Sequence, residues 1–252
     1  MAPISGWEDR FNLPKLQKNN FHETGHAKNV ASFLRLIVYC KDLGTVYNPA
    51  NGTLKIESLE VAYQNALQKV NEVQHQKNIF STNINNRRRA FEDLKPYATK
   101  IINAFAASGV NKQALEEAKS VNKKIQGVLL KKTDQSCEAS QQSYEQKLEH
   151  LEALIAILIQ NPLYSPNEEE LRVTSLQSKL ADLKSHNLSL FESAKAYSKA
   201  LTERNQILYE PETGLISISK KVKQYIKSIF GANSEQYHQL VSIEFKVRKA
   251  SN

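Results

Sequence analysis

Turn-forming residues are scarce in this 252-residue chain: seven prolines and eight glycines leave too few breaks for the many short strands and tight turns of an all-β protein. Cysteine is nearly absent. Cys40 and Cys137 have neither metal-type nor redox-type spacing, which excludes a structural zinc framework or a disulfide-dense scaffold. Cys40 ends an apolar run (Phe33, Leu34, Leu36, Ile37, Val38) and reads as a buried thiol acting as a small hydrophobe, a disulfide to Cys137 being the alternative. No long apolar run exists either. Leu151 to Ile159, with Glu152 inside it, is too short to span a bilayer. Met1 to Arg10 has no basic region followed by an apolar one, so no signal peptide is expected. These features together lead to the expectation of a cytoplasmic protein.

What is present is helical periodicity, and it occurs twice. Tyr47-x-Pro49, Leu54, Ser58, Leu59, Ser81 and Arg87 recur as Tyr164-x-Pro166, Leu171, Ser175, Leu176, Ser198 and Arg204, at a constant offset of 117 residues. Self-similarity of this kind sets the architecture before any other signal. In the first copy Leu59, Ala66, Val73, Phe80 and Arg87 repeat every seven residues, interleaved with Tyr63, Val70, Lys77, Ile84 and Phe91. In the second copy Leu176, Leu183, Leu190, Tyr197 and Arg204 alternate with Leu180, Asn187, Ala194, Leu201 and Leu208. Both read as long coiled-coil-like helices. A helix of that length measures about 50 Å at 1.5 Å per residue, which predicts an elongated antiparallel bundle.

The chain then divides as follows. Residues 1–27 form an irregular leader, and residues 28–130 a first helical repeat whose opening helix runs from about Lys28 to Leu43. Residues 131–139 are a linker or helix break, and residues 140–252 a second repeat, beginning with a helix from about Ser140 to Gln160. A third helix in each repeat carries Leu94, Tyr97, Ile101 and Phe105, matched to Ile218, Val222, Ile226 and Phe230, an offset of 125 that implies an insertion of about eight residues near Tyr209. The first copy has only Glu92-Asp93 and Pro96 at that place, which predicts a kink between its helices. Asn111 to Gly127 continues as a helix. After Ser234 a short helix precedes an extended tail, in which Val241, Ile243, Phe245 and Val247 alternate with polar residues.

These segments bring a resemblance into view. Ser140-Gln-Gln-Ser-Tyr144, Tyr164-Ser-Pro-Asn-Glu-Glu-Glu-Leu171, Ala107-Ser-Gly-Val-Asn111 with Asn122-Lys-Lys-Ile-Gln-Gly127, and Val222 to Phe230 resemble a family of uncharacterised tandem-repeat helical proteins from Bacteroidetes bacteria. The resemblance implies the architecture and no activity.

Few residues suggest chemistry. His22-Glu23-Thr24-Gly25-His26 spells the zincin pattern, in which two imidazoles one helical turn apart bind zinc and the glutamate activates its water. Here the motif falls in the leader, Gly25 weakens a helix, and the glycine and third histidine of the longer pattern would fall at Asn29 and Ser32. A third ligand such as Glu57 or Glu60 is not singled out by spacing. A zinc hydrolase on His22 and His26 is therefore a minor alternative.

Arg87 and Arg204 occupy seam positions where apolar residues are expected. They suggest either an anion site made by two equivalent guanidinium groups or arginines that bury their stems and turn their heads to solvent or a carboxylate. The second reading is preferred. Lys77 and Asn187, also in the seam, are expected to specify register. His75, His150, His186 and His238 are scattered.

The formal charge is +8. Basic clusters at Arg87-Arg88-Arg89, Lys131-Lys132, Lys220-Lys221-x-Lys223 and Lys246-x-Arg248-Lys249 raise nucleic acid or an anionic membrane as partners. They lack the interleaved aromatics of stacking platforms. The expectation is thus a non-enzymatic helical scaffold or protein-interaction module, without cofactor or evident small-molecule substrate, that binds a protein partner or self-associates. Polyanion binding through Arg88, Arg89, Lys220, Lys221 and Lys223 is the alternative.

Overall fold

The protein is all-α. The computed structural model describes residues 23–127 and 143–246, and among them there is no strand. The helices are α1 (Glu23–Asp42), α2 (Ile56–Ala90), α3 (Leu94–Ala107), α4 (Lys112–Gln126), α5 (Tyr144–Ile159), α6 (Val173–Tyr209), α7 (Leu215–Phe230) and α8 (Glu235–Val241). The expected linker, residues 131–139, lies outside the described residues, as do Cys137 and the end of the tail from residue 247.

Each repeat has the same local grammar. In the first, a 3-10 turn at Gly52–Leu54 precedes α2; in the second, one at Glu169–Leu171 precedes α6. The Tyr47 hydroxyl donates to the Leu54 carbonyl oxygen at 2.7 Å, and the Tyr164 hydroxyl donates to that of Leu171 at 2.8 Å. The tyrosine thus fastens its own loop, ring inside and hydroxyl satisfied. Side-chain capping explains three further helix starts. Ser143 and Gln146 form a reciprocal capping box on α5, while Asn111 and Ser234 cap α4 and α8. Gly127 ends α4 in the left-handed conformation that glycine adopts without strain.

The heptad reading of the long helices holds. Leu59, Ala66, Val73, Phe80 and Arg87 are all buried, and so are Leu176, Leu183, Leu190 and Arg204. The interleaved series is weaker, and Lys77 is exposed. The register role expected for Lys77 is therefore corrected: its ammonium stays in water, where it avoids the cost of burying an unpaired charge.

Three further expectations change. The leader ends earlier than residue 27, because Gly25, His26 and Ala27 already belong to α1; the buried row His26, Asn29, Val30 and Phe33 outweighs the roughly 1 kcal/mol that a helical glycine costs. Between α2 and α3 the chain makes a full three-residue turn at Phe91–Asp93 instead of a kink. In the third helices burial aligns Leu94, Ala98, Ile101 and Phe105 with Leu215, Ser219, Val222 and Ile226. That register is one helical turn away from the expected one, and Phe230 is only half-buried. Gly214 explains where α7 starts: a Cβ there would lie 2.5 Å from the Glu210 nitrogen, so only glycine lets the chain double back on the end of α6. At the other end, α8 matches the expected short helix, and residues 244–246 continue without regular structure.

The compact units are not the repeats. Among the described residues one comprises 23–79 and 195–246, the other 80–127 and 143–194. Each therefore combines a first helix and loop from one repeat with a third helix from the other. The core of the first unit holds Val30, Phe33, Leu36, Ile37 and Cys40 of α1 with Leu208, Leu215, Val222 and Ile226. That of the second holds Leu148, Leu151, Leu154, Ile155 and Leu158 of α5 with Leu94, Ile101, Phe105 and Leu176. The aromatic stacking follows the same exchange: Tyr47 meets Tyr225 edge-on, and Tyr164 meets Phe105.

Candidate functional site

The densest buried polar cluster in the first unit lies on α1. Its helical spacing places His26 and Asn29 on one face with Val30 and Phe33, and both polar side chains are completely enclosed. His26 Nδ1 lies 2.7 Å from the hydroxyl of Tyr209, at the last residue of α6. The Asn29 amide donates to that hydroxyl at 3.2 Å and to the Lys246 carbonyl at 2.9 Å. The Lys246 N–H in turn donates to Asn29 Oδ1 at 2.8 Å. Asn29 therefore engages both backbone groups of Lys246, as a neighbouring strand would.

Two further bonds fix the segment before Lys246. The Lys223 ammonium donates to the Ile243 carbonyl at 2.6 Å and lies 5.4 Å from the centre of the Phe245 ring. Burial lowers the pKa of that ammonium, and Glu244 partly opposes the shift. Lys223, expected on a basic surface, is thus a tether for residues 243–245.

Beside this segment runs an open groove of about 690 Å³ along α1. Lys28, Ser32, Arg35, Tyr39 and Asp42 form a stripe on α1 at its edge, and Ile243, Glu244 and Lys246 form the facing wall. The Tyr39 hydroxyl donates to the Gln236 carbonyl and pins the base of α8 against α1.

The second unit carries its buried charge at Arg87, which is 6% exposed. The guanidinium donates to Asn187 Oδ1 at 2.9 Å, and the Asn187 amide donates to Glu145 at 2.9 Å. The Arg87 Cζ also stands 4.1 Å from the centre of the Tyr144 ring. Burial lowers the Arg87 pKa, opposed by Tyr144 and Glu145. The result is a relay from Arg87 through an amide to a carboxylate, which anchors the start of α5 on α2 and α6. Asn187 sits where the sequence placed it in the seam, and its neutral amide couples the two charges.

Arg204 belongs to the first unit and is 2% exposed. Its Nε and one terminal nitrogen both donate to Asn205 Oδ1, at 3.2 and 2.9 Å. The two seam arginines therefore lie in different units, each with its own amide partner. Both guanidinium groups are buried, and that of Arg87 is linked through Asn187 to the Glu145 carboxylate. Arg88 and Arg89 are exposed in the second unit, and Lys220 and Lys221 in the first.

Of the zincin-like motif, His26 is the enclosed partner of Tyr209, and His22 lies outside the described residues. Among the described residues no group of three or more His, Cys, Asp or Glu side chains is placed to hold a metal. Cys40 is a free, buried thiol, and burial pushes its pKa up to about 12. Such a thiol is chemically inert.

No family model, curated protein or solved structure matches this chain. No helix among the described residues is long and apolar enough to cross a membrane.

Sequence reasoning missed the Asn29–Tyr209–Lys246 network and the groove beside it. Asn29 entered only as a failed metal position. A polar residue in register with Val30 and Phe33 was the available signal, because a buried amide needs a partner.

Proposed function

We propose that the chain is a non-enzymatic helical scaffold of the cytoplasm that presents helix faces to a protein partner. One observation carries this reading: the polar groups inside the bundle hold segments together. Arg87 and Asn187 fix the start of α5, Asn29 and Lys223 fix residues 243–246, and Tyr47 and Tyr164 fasten the two loops. Side chains committed in this way serve positioning, and the residues left for recognition are on the surface. A buried free thiol at Cys40 suits a reducing compartment. The buried heptad series also supports recognition through the outer faces, since Leu59, Ala66, Val73 and Phe80 are already covered within the chain.

In-cell cross-linking of the full chain, followed by reconstitution from purified components, tests the reading. The expected outcome is a stoichiometric complex with a protein that forms in the absence of nucleic acid and lipid. Recovery of only nucleic acid or anionic lipid, in a complex that dissociates steeply with salt, would replace the scaffold with the polyanion reading, for which exposed Arg88, Arg89, Lys220 and Lys221 are the available cations.

A further inference from the structure

The groove along α1 has a charge pattern that names its occupant. Lys28 and Arg35 stand seven residues apart on one helical stripe, and Lys246 faces them from the opposite wall. Among the described residues none of the three forms an ion pair. Two carboxylates share the groove. Asp42 is at its far end, a further seven residues beyond Arg35, and Glu244 acts on the tethered Lys223. One end is therefore basic. Between the charges lie Ser32 and the apolar side chains of Val38 and Ile243, and Val38 is half-exposed.

We propose that this groove binds an extended, acidic peptide segment of a partner protein, with its carboxylates at Lys28, Arg35 and Lys246 and an apolar residue against Val38 and Ile243. The proposal rests on the scaffold reading and gives its partner a chemical class. Several features favour a peptide. From Lys28 to Asp42 the stripe covers about 21 Å at 1.5 Å per residue, and a strand at about 3.3 Å per residue fills that length with six or so residues. The wall opposite α1 ends in residues 244–246, which have no regular structure and are held by the backbone, since Asn29 pairs with both polar groups of Lys246. That wall is fixed before any ligand arrives, which lowers the ordering cost of binding.

Fluorescence anisotropy on the full chain provides the test. The probe is a labelled six-residue peptide alternating Glu and Leu, compared with its Gln/Leu and Lys/Leu counterparts. The acidic peptide should bind, the other two should not, and added salt should weaken binding as it screens exposed charges. The double substitution Lys28→Glu with Arg35→Glu should weaken it by at least about tenfold, since like charges then face each other. Both positions are exposed, so the helical circular dichroism should not change. The milder pair Lys28→Gln with Arg35→Gln should fall between.

Equal binding of the acidic and Gln/Leu peptides, or binding indifferent to both double substitutions, would overturn the proposal. An oligonucleotide of equal charge that binds more tightly through the same residues would overturn it in favour of nucleic acid. A reconstituted protein complex that survives Lys28→Glu with Arg35→Glu would remove this groove while leaving the scaffold reading intact. Absence of any protein complex would remove the scaffold reading itself.

Discussion

The two units build the same corner with different chemistry. Burial matches Val30, Phe33, Leu36, Ile37 and Cys40 of α1 with Leu148, Leu151, Leu154, Ile155 and Leu158 of α5, position for position. In that register His26 corresponds to Tyr144. In the first unit His26 meets Tyr209 at the end of α6 through a polar contact. In the second, Tyr144 packs edge-on against Phe91 just after α2 and takes the Arg87 guanidinium over its face. Both corners dock a first helix against the end of a long one. The apolar pattern is shared, and the polar filling decides what else is held: a C-terminal segment in one unit, the amide–carboxylate relay in the other.

The largest expected effects compare the apolar skeletons. Phe33→Ala in α1 should cost about 3–5 kcal/mol and Leu151→Ala in α5 about 2–5 kcal/mol, because both side chains are completely enclosed and truncation leaves a cavity. Hydrogen exchange followed by mass spectrometry locates the damage. Phe33→Ala should lower protection first in α7 and α8, and Leu151→Ala first in α3 and α4, whose core side chains share those clusters. Loss that follows the sequence repeats instead, with Phe33→Ala reaching α3 before α7, would show that the repeats and not the two compact units are what unfolds together.

Much of that skeleton was legible in the sequence. The heptad series predicted α2 and α6, and the Tyr-x-Pro pair predicted two equivalent loops, because apolar spacing and turn chemistry are local signals. The exchange of third helices between units was not legible, since nothing local in Leu94–Phe105 or Leu215–Ile226 states which first helix it packs against. The register of α7 failed for a related reason. Its apolar positions recur every turn, so one turn of slip leaves a plausible match, and the close approach at Gly214 settles it. The candidate groove was hidden because Lys246 is far in sequence from Lys28 and Arg35, and each of the three is ordinary by itself. The two seam arginines were found, and what escaped prediction was their use of amides at Asn187 and Asn205 as partners.

Next in size are the two loop tyrosines. Tyr47→Phe and Tyr164→Phe should each cost about 1–2 kcal/mol, since each leaves a buried carbonyl without its donor. Alkaline unfolding sharpens the contrast between units. Burial first, then Tyr97 and Glu168, pushes Tyr164 up to about 12 from 10.0. In the first unit burial raises Tyr47 as well, and burial pushes Cys40 up to about 12 from 9.0. A raised acid pKa means that the folded chain keeps a proton that the unfolded chain has lost, so stability present below the unfolded value falls as pH rises. The decline should begin near pH 9 through Cys40 and steepen above pH 10 as the tyrosines join. Cys40→Ala should delay its onset, and Tyr164→Phe should flatten only the upper part. Thermal melts across that range check both. An onset unmoved by Cys40→Ala would mean that the first unit gains nothing from its buried thiol.

The smallest effect concerns the long helices themselves. In the first unit Lys69 of α2 pairs with Glu203 of α6 at 2.6 Å, with both side chains about one-third exposed. In the second unit the corresponding tie is Arg87 to the neutral Asn187, inside the bundle. Distance alone would rank the first as stronger. Solvent reverses the order, because water and salt screen an exposed pair, and ordering two long side chains offsets much of what remains. Lys199 also stands 3.7 Å from the Glu203 carboxylate, so a second cation remains when Lys69 is removed. Lys69→Met should therefore leave the melting temperature unchanged, at low and at high salt alike. Arg87→Met should lower it measurably, since Asn187 loses its donor and the Tyr144 ring the nearer of its two cations, Lys147 standing 5.2 Å away. A drop for Lys69→Met as large as that for Arg87→Met would show that the surface pair, and not the buried relay, holds the long helices in register.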